Sequence, residues 1–266
     1  MNRRWKQGAA LMAAALCLHM PAALGASVTA EGSALTADQA WVEDGTSYIT
    51  LRSYAQLTDY ELEWTGDSAR LTGSGLELEA QPGQLYITVN GRALYVDGGV
   101  RVVDGKLTLP LRVIAQATGA QLTWNAKTAT AELSRLDAWP ASASYNEEDL
   151  YWLSRVISAE SRGESLLGQI AVGNVVLNRV QSSEFPNTIK DVVFDRKNGV
   201  QFEPVSNGTI YDPPTDSSVL AAKLCLEGAG VVGDCLYFYA PALSKGTWIA
   251  NNRTYYTTIG CHRFYL

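Results

Sequence analysis

Histidine is nearly missing from this sequence: two occur among 266 residues. One of them, His19, lies in an N-terminal stretch that reads as a leader. With only His262 left, a zinc centre built on several histidines is excluded, and the cysteines lack metal-ligand spacing. No metal and no cofactor is expected. Cysteine is also scarce. Cys17 sits in the leader, which leaves Cys225, Cys235 and Cys261. Outside a cell one pair could bridge, leaving one thiol over, and the spacing does not choose among the pairings. Apart from His262 beside Cys261, none has an activating partner close by in sequence, so a bridge or a small buried thiol is preferred to a nucleophile.

Long apolar runs are missing after the leader. "MNRRWKQGAALMAAALCLHMPAALGAS" has a basic start at Arg3, Arg4 and Lys6, an apolar stretch from Ala9 to Leu24, and small residues near Ala26. That is the pattern of a Sec-type signal peptide at 1–26, with cleavage near Gly25 to Ser27. Leu16 before Cys17 argues against lipoprotein attachment. No later segment approaches the ~20 apolar residues that span a bilayer. The expected product is secreted, with no integral membrane span after cleavage. Positive charge is in deficit as well. The leader holds three basic residues and no acid, so 18 basic residues face 27 acidic ones beyond it, a net charge of −9. A broad electrostatic patch for nucleic acid is excluded. Hydrolytic chemistry must then rest on carboxylates, or on a lone Ser or Cys with His262.

What is present begins with an internal repeat. "EDGTSYITLRSYAQLTDYELEW" (43–64) lies over "VDGKLTLPLRVIAQATGAQLTW" (103–124). Asp44-Gly45 meets Asp104-Gly105, Leu51-Arg52 meets Leu111-Arg112, and Trp64 meets Trp124. Each unit reads as short strand, turn, short helix, strand. Because the arginine and tryptophan recur in both copies, a packing role is the simpler expectation. The second unit, with "LPLRVIAQATGAQLTW", resembles the copper amine oxidase N-terminal-like stalk domain. The resemblance implies a small α+β spacer or wall-association module over 27–134. Residues 135–144, "RLDAWPASAS", read as a linker.

The remaining segment, 145–266, opens with "YNEEDLYWLSRVISAE". Asn146 caps a helix here, and Tyr145 is placed to staple against Leu150. Leu150, Leu153 and Ile157 recur at helical spacing, and Glu160 falls close to Leu153 on that wheel. The carboxyl therefore projects from the apolar side. Partial burial and the negative end of the helix dipole both raise its proton affinity, while Arg162 opposes them if it turns inward. Two readings stand open from the wheel alone: a protonated acid for glycosidic-bond cleavage, or a terminal glutamate paired with Arg162.

"SLLGQIAVGNVVLNRV" is apolar nearly all round and reads as the core helix. On it, Asn174 and Asn178 either lead into a polar groove or satisfy buried backbone. "NGVQFEPVSNGTIYDPP" reads as an extended loop, and aromatic strands close the chain.

The blocks "SAESRGESLLGQIAVGNVVLNRV", "FPNTIKDVVF", "QFEPVSNGTI", "LYFYAPALSKGTWI" and "IGCHRF" resemble, in order, those of the SleB-type cell wall hydrolases, the spore-cortex-lytic family. The resemblance implies a lysozyme-like α+β catalytic domain at 145–266 with a helical lobe and a β lobe. It also implies action on peptidoglycan glycan strands, at the bond after N-acetylmuramic acid. The catalytic glutamate of the "AE.RGE" block falls on Glu160. Tyr237, Tyr239 and Phe202 are expected to line the groove, with Asn178 and His262 among the substrate contacts. Glu164, Asp195, Glu203 and Asp212 are candidate second carboxylates for a hydrolytic mechanism. Two alternatives are a peptidoglycan peptidase using Cys261 or Cys235 with His262, and a non-catalytic wall-binding protein. Spore cortex and vegetative wall are both open as settings.

Overall fold

The computed structural model describes residues 26–197, 199–244 and 247–266. The expected leader, with Cys17 and His19, lies outside the described residues except for Ala26. Among the described residues no helix is long and apolar enough to cross a membrane.

The two repeats account for the first half. β1 (Ser27–Ala30) and β2 (Ser33–Ala34) precede β3 (Ala40–Glu43), β4 (Thr46–Thr50), α1 (Leu51–Leu57) and β5 (Glu61–Thr65). β6 (Ser68–Gly73), β7 (Leu76–Ala80), β8 (Tyr86–Val89) and β9 (Arg92–Tyr95) extend β5 into one antiparallel sheet. The second copy supplies β10 (Arg101–Val103), β11 (Lys106–Pro110), α2 (Leu111–Thr118) and β12 (Gln121–Asn125), and β13 (Thr130–Ser134) follows. In both copies the Asp-Gly pair turns a hairpin with two positive φ values, 48° and 76° at Asp44-Gly45 and 50° and 74° at Asp104-Gly105. Such a turn matches the twist of the strands it joins.

Equivalent strands pair with each other. Thr50 stands opposite Thr108, Ile49 opposite Leu109, and Tyr48 opposite Pro110. Ile49 thus faces its own repeat equivalent, and an approximate twofold passes between them. The shared core buries Ile49, Leu51 and Tyr54 with Leu109, Leu111 and Ile114. The Tyr54 hydroxyl is satisfied there by donating to Thr118 Oγ1 at 2.9 Å.

The packing role expected for the recurrent arginine and tryptophan is corrected by the structure. Trp64 is 53% and Trp124 55% exposed, and Arg52 and Arg112 are exposed too. Both tryptophans sit on edge strands, β5 and β12. On each, the leucine two residues earlier makes the half-buried contact. Residues 135–144 have no helix or strand, but they are docked on the repeats. The Trp139 ring lies where a side chain on Gly75 would stand, and Ala143 N donates to Asn90 O at 3.0 Å.

The second half is a helical lobe with a small sheet. Its helices are α3 (Glu147–Ser161), α4 (Leu166–Gln181), α5 (Ile189–Val193), α6 (Glu203–Asn207) and α7 (Asp216–Leu226). β14 (Tyr237–Tyr239), α8 (Thr247–Asn252), β15 (Tyr255–Ile259) and β16 (His262–Tyr265) follow, with sheet order β14-β16-β15. This is the α+β arrangement of helical lobe and β lobe expected from sequence. α4 is the core helix, buried continuously from Gly168 to Val176. Gly173 lets α7 approach closely, since a Cβ there would come 2.7 Å from Cys225 Sγ. The stretch read as an extended loop contains α6. Pro204 lies in its first turn and Gly208, at φ 85°, ends it, the usual start and stop residues of a short helix.

The two halves are tied by Arg92, which donates from Nε and Nη2 to both Glu227 carboxylate oxygens, at 3.0 and 2.7 Å. Both side chains are largely buried, 11% and 14% exposed. Gln116 Nε2 donates to Glu227 O at 2.9 Å, and Ala93 N donates to the Tyr145 hydroxyl.

Candidate active site

α3 delivers Glu160. Asn146 Oδ1 accepts from Asp149 N at 3.0 Å, and Glu147, Glu148 and Asp149 lie at the positive end of the helix dipole. Leu153, Val156 and Ile157 are fully buried, so the same face carries the half-buried Glu160 against the lobe. Its carboxyl makes no hydrogen bond to any other described residue. Burial is the main cause that raises its pKa from 4.5 to about 7. The nearby Glu203 carboxylate adds to the rise and the Arg179 cation opposes it. Arg162 does not: it is exposed, and its Nε donates back to Ser158 O at 3.3 Å.

Arg179 is the residue that sequence reasoning missed. It is 5% exposed on α4. Its guanidinium lies 4.8 Å from the Phe185 ring, 5.1 Å from Phe202 and 5.6 Å from Tyr237. Nε donates to Leu236 O at 2.8 Å, while the buried Nη1 has no partner among the described residues. Burial lowers its pKa to about 10, and Tyr237, Asp195 and Glu160 oppose that shift. A signal was available, because Arg179 is the single charged residue of α4.

The other expected contacts are placed as follows. Phe202 is 2% and Tyr237 8% exposed, so both pack around Arg179 and keep little face for a sugar. The Tyr237 hydroxyl accepts from Arg253 Nη2 at 2.7 Å. The exposed aromatic beside them is Trp248, 57% exposed and 6.0 Å from the Tyr237 ring. Tyr239 is half-buried and stacks on Tyr265 at 5.7 Å. Asn178 donates to Gly233 O and Cys235 O, at 2.7 and 3.0 Å, and so secures backbone. His262 is buried edge-on to Phe238, with Nδ1 3.8 Å from Glu164 Oε1. Burial lowers its pKa, with Glu164 opposing.

Glu164 is built into the β15–β16 hairpin. Its Oε2 accepts from Cys261 N at 3.1 Å, and any Cβ on Gly260 would collide with its carboxylate. Among the carboxylates considered for a second role, Glu203 and Asp195 bear on the Glu160–Arg179 group. Among the described residues Cys225, Cys235 and Cys261 are free thiols, and no pair of them is bridged. Burial pushes Cys235 up to about 11, and the Glu164 carboxylate raises Cys261, the reverse of nucleophile activation. Among the described residues no group of three His, Cys, Asp or Glu is placed to hold a metal ion.

Fold and site together define an α+β protein whose sheet-rich stalk carries a helical lobe with a raised carboxyl, Glu160, unpaired among the described residues. Residues 163–265 match the family described as Cell Wall Hydrolase, and 29–133 match the Copper amine oxidase N-terminal domain. The chain belongs to the cell wall hydrolase family. It is 32% identical over 107 residues to the cell wall hydrolase CwlJ of Oceanobacillus iheyensis, covering 38% of this chain and 74% of that one. It is 36% identical over 120 residues to a spore cortex-lytic enzyme of Bacillus cereus, covering 45% of each chain. The chain thus spans less than half the length of that relative. The catalytic domain of the germination-specific lytic transglycosylase SleB from Bacillus anthracis is 34% identical. It covers 47% of this chain and 100% of that one, at a TM-score of 0.43.

Proposed function

We propose that this protein is an exported, wall-associated peptidoglycan-degrading enzyme. It cleaves the glycosidic bond after N-acetylmuramic acid as a lytic transglycosylase, with Glu160 as the acid and base. The observation that carries the reading is the Glu160 carboxyl, raised to about 7 and free of hydrogen bonds to described residues. Family membership and the names of the relatives supply the substrate class.

In the proposed reaction the protonated Glu160 gives its proton to the glycosidic oxygen as the C1–O bond breaks. The leaving sugar departs with a free hydroxyl. Glu160, now a carboxylate, takes the proton of the muramic acid 6-hydroxyl while that oxygen bonds to C1. The product is a 1,6-anhydro ring, the acid is regenerated, and no water is consumed. Arg179 favours the carboxylate of the second half-reaction and Glu203 the acid of the first, which keeps the group poised near neutrality. The peptidase reading has less support, since the thiols of Cys235 and Cys261 are raised rather than lowered. Glu160→Gln keeps the shape and removes the acid. It is expected to abolish release of soluble fragments from sacculi, and retained release overturns the assignment.

A further inference from the structure

In the second repeat the recurrent arginine and tryptophan, left exposed by the fold, come together with the second half of the molecule. Arg112 and Trp124 line a cleft of about 800 Å³ between the repeats and the turn after α7. Tyr95 and Asp97 form one wall, and Gly228 and Gly230 present bare backbone on another. The cleft is held open by fixed groups: Glu227 is taken by Arg92, and Gln116 is tied to the Glu227 carbonyl. The Tyr95 hydroxyl donates to Asp97 at 3.4 Å. Arg112, by contrast, has no ion-pair partner among the described residues. An exposed indole and an unpaired guanidinium therefore face one prebuilt space.

We propose that this junction cleft is a second ligand site, one that takes a carboxylate-bearing glycan, with Trp124 stacking on a sugar ring and Arg112 pairing with the carboxylate. A flat indole face matches the apolar face of a pyranose ring, and a planar guanidinium fork matches a carboxylate. The walls are mixed, with Val113 and Leu122 beside Thr46, Ser47 and Thr123, a lining that suits a ligand with both apolar ring faces and hydroxyl groups. The choice of glycan rests on the reading above: muramic acid that bears no stem peptide supplies the free carboxylate, and the site would hold the strand there while Glu160 acts on another part of it. The first repeat carries the same pair, Arg52 and Trp64, but neither residue lines this cleft.

The test is a calorimetric titration of the full chain with three probes. These are peptide-stripped glycan fragments containing N-acetylmuramic acid, neutral chitotetraose, and free stem peptide. The stripped glycan should bind, and Trp124→Ala should weaken it by about tenfold. Arg112→Ala should weaken the carboxylate glycan by about tenfold and leave chitotetraose unchanged, while Trp64→Ala should change neither. Glycan affinity indifferent to both Trp124→Ala and Arg112→Ala overturns the proposal, as does tighter binding of the free peptide. Fragment release from sacculi by the unaltered chain is scored separately. A failed cleft and a failed enzymatic reading thereby give different results, because titration needs no turnover.

Discussion

Arg179 and Glu160 shape each other's proton affinity without pairing. Arg179 Nε donates to Leu236 O at 2.8 Å, and the Glu160 carboxyl hydrogen-bonds to no other described residue. Each still appears among the causes of the other's shift. Replacing the arginine therefore tests the electrostatics of the site. In Arg179→Met the opposing cation is gone, so Glu160 should hold its proton to higher pH, and the alkaline limb of the activity profile should move upward. The variant also orphans the Leu236 carbonyl, at a cost on the order of 1–3 kcal/mol. A lower Tm with an unmoved alkaline limb would mean that Arg179 only packs.

The same shift has a consequence for stability. Glu160 is raised from 4.5 to about 7, so the folded state binds this proton more tightly than the unfolded state does. Its contribution is fully present below about pH 4.5 and is lost as pH rises through about 7. Glu160→Gln removes that dependence. The variant should be more stable than the parent at pH 8, by about 2–4 kcal/mol, and the gap should close towards pH 4. Denaturant titration at the two pH values decides this. An equal gap at both would place the effect in packing.

Arg92 and Glu227 hold the two halves together from positions 135 residues apart. Arg92→Ala leaves a largely buried carboxylate without its cation, a loss on the order of 3 kcal/mol. Calorimetry should show a lower and broader transition, with the halves unfolding separately. The double variant Arg92→Ala/Glu227→Gln should recover part of the loss. Strict additivity would show that the pair contributes no coupling.

Gly260→Ala should destabilise the β15–β16 hairpin, because φ there is +57° and the new methyl would collide with Glu164. Pairing it with Glu164→Ala should relieve the collision but not the backbone strain, so Tm should recover only in part. A Gly260→Ala protein as stable as the parent would contradict this packing.

The repeats were legible because Asp-Gly turns and alternating apolar residues are local signals that share one register. α3 and the place of Glu160 on it followed from cap and periodicity in the same way. Their partners were not legible. Arg179 meets Glu160 only through the crossing of α3, α4 and α6, and a sequence carries no direct record of that approach. α6 is not legible despite Pro204 and Gly208 at its ends, because five residues are too few to show a periodicity. The exposure of Trp64 and Trp124 escaped because recurrence marks a constraint without saying whether core or surface imposes it. Phe202 and Tyr237 were expected at the groove, yet they pack around a buried cation that composition could not place.

Mass analysis of the muropeptides released from sacculi tests the central claim most directly. The account predicts fragments ending in 1,6-anhydro-N-acetylmuramic acid from the parent chain and none from Glu160→Gln. Reducing muramic acid ends, or new free peptide amines, would contradict it.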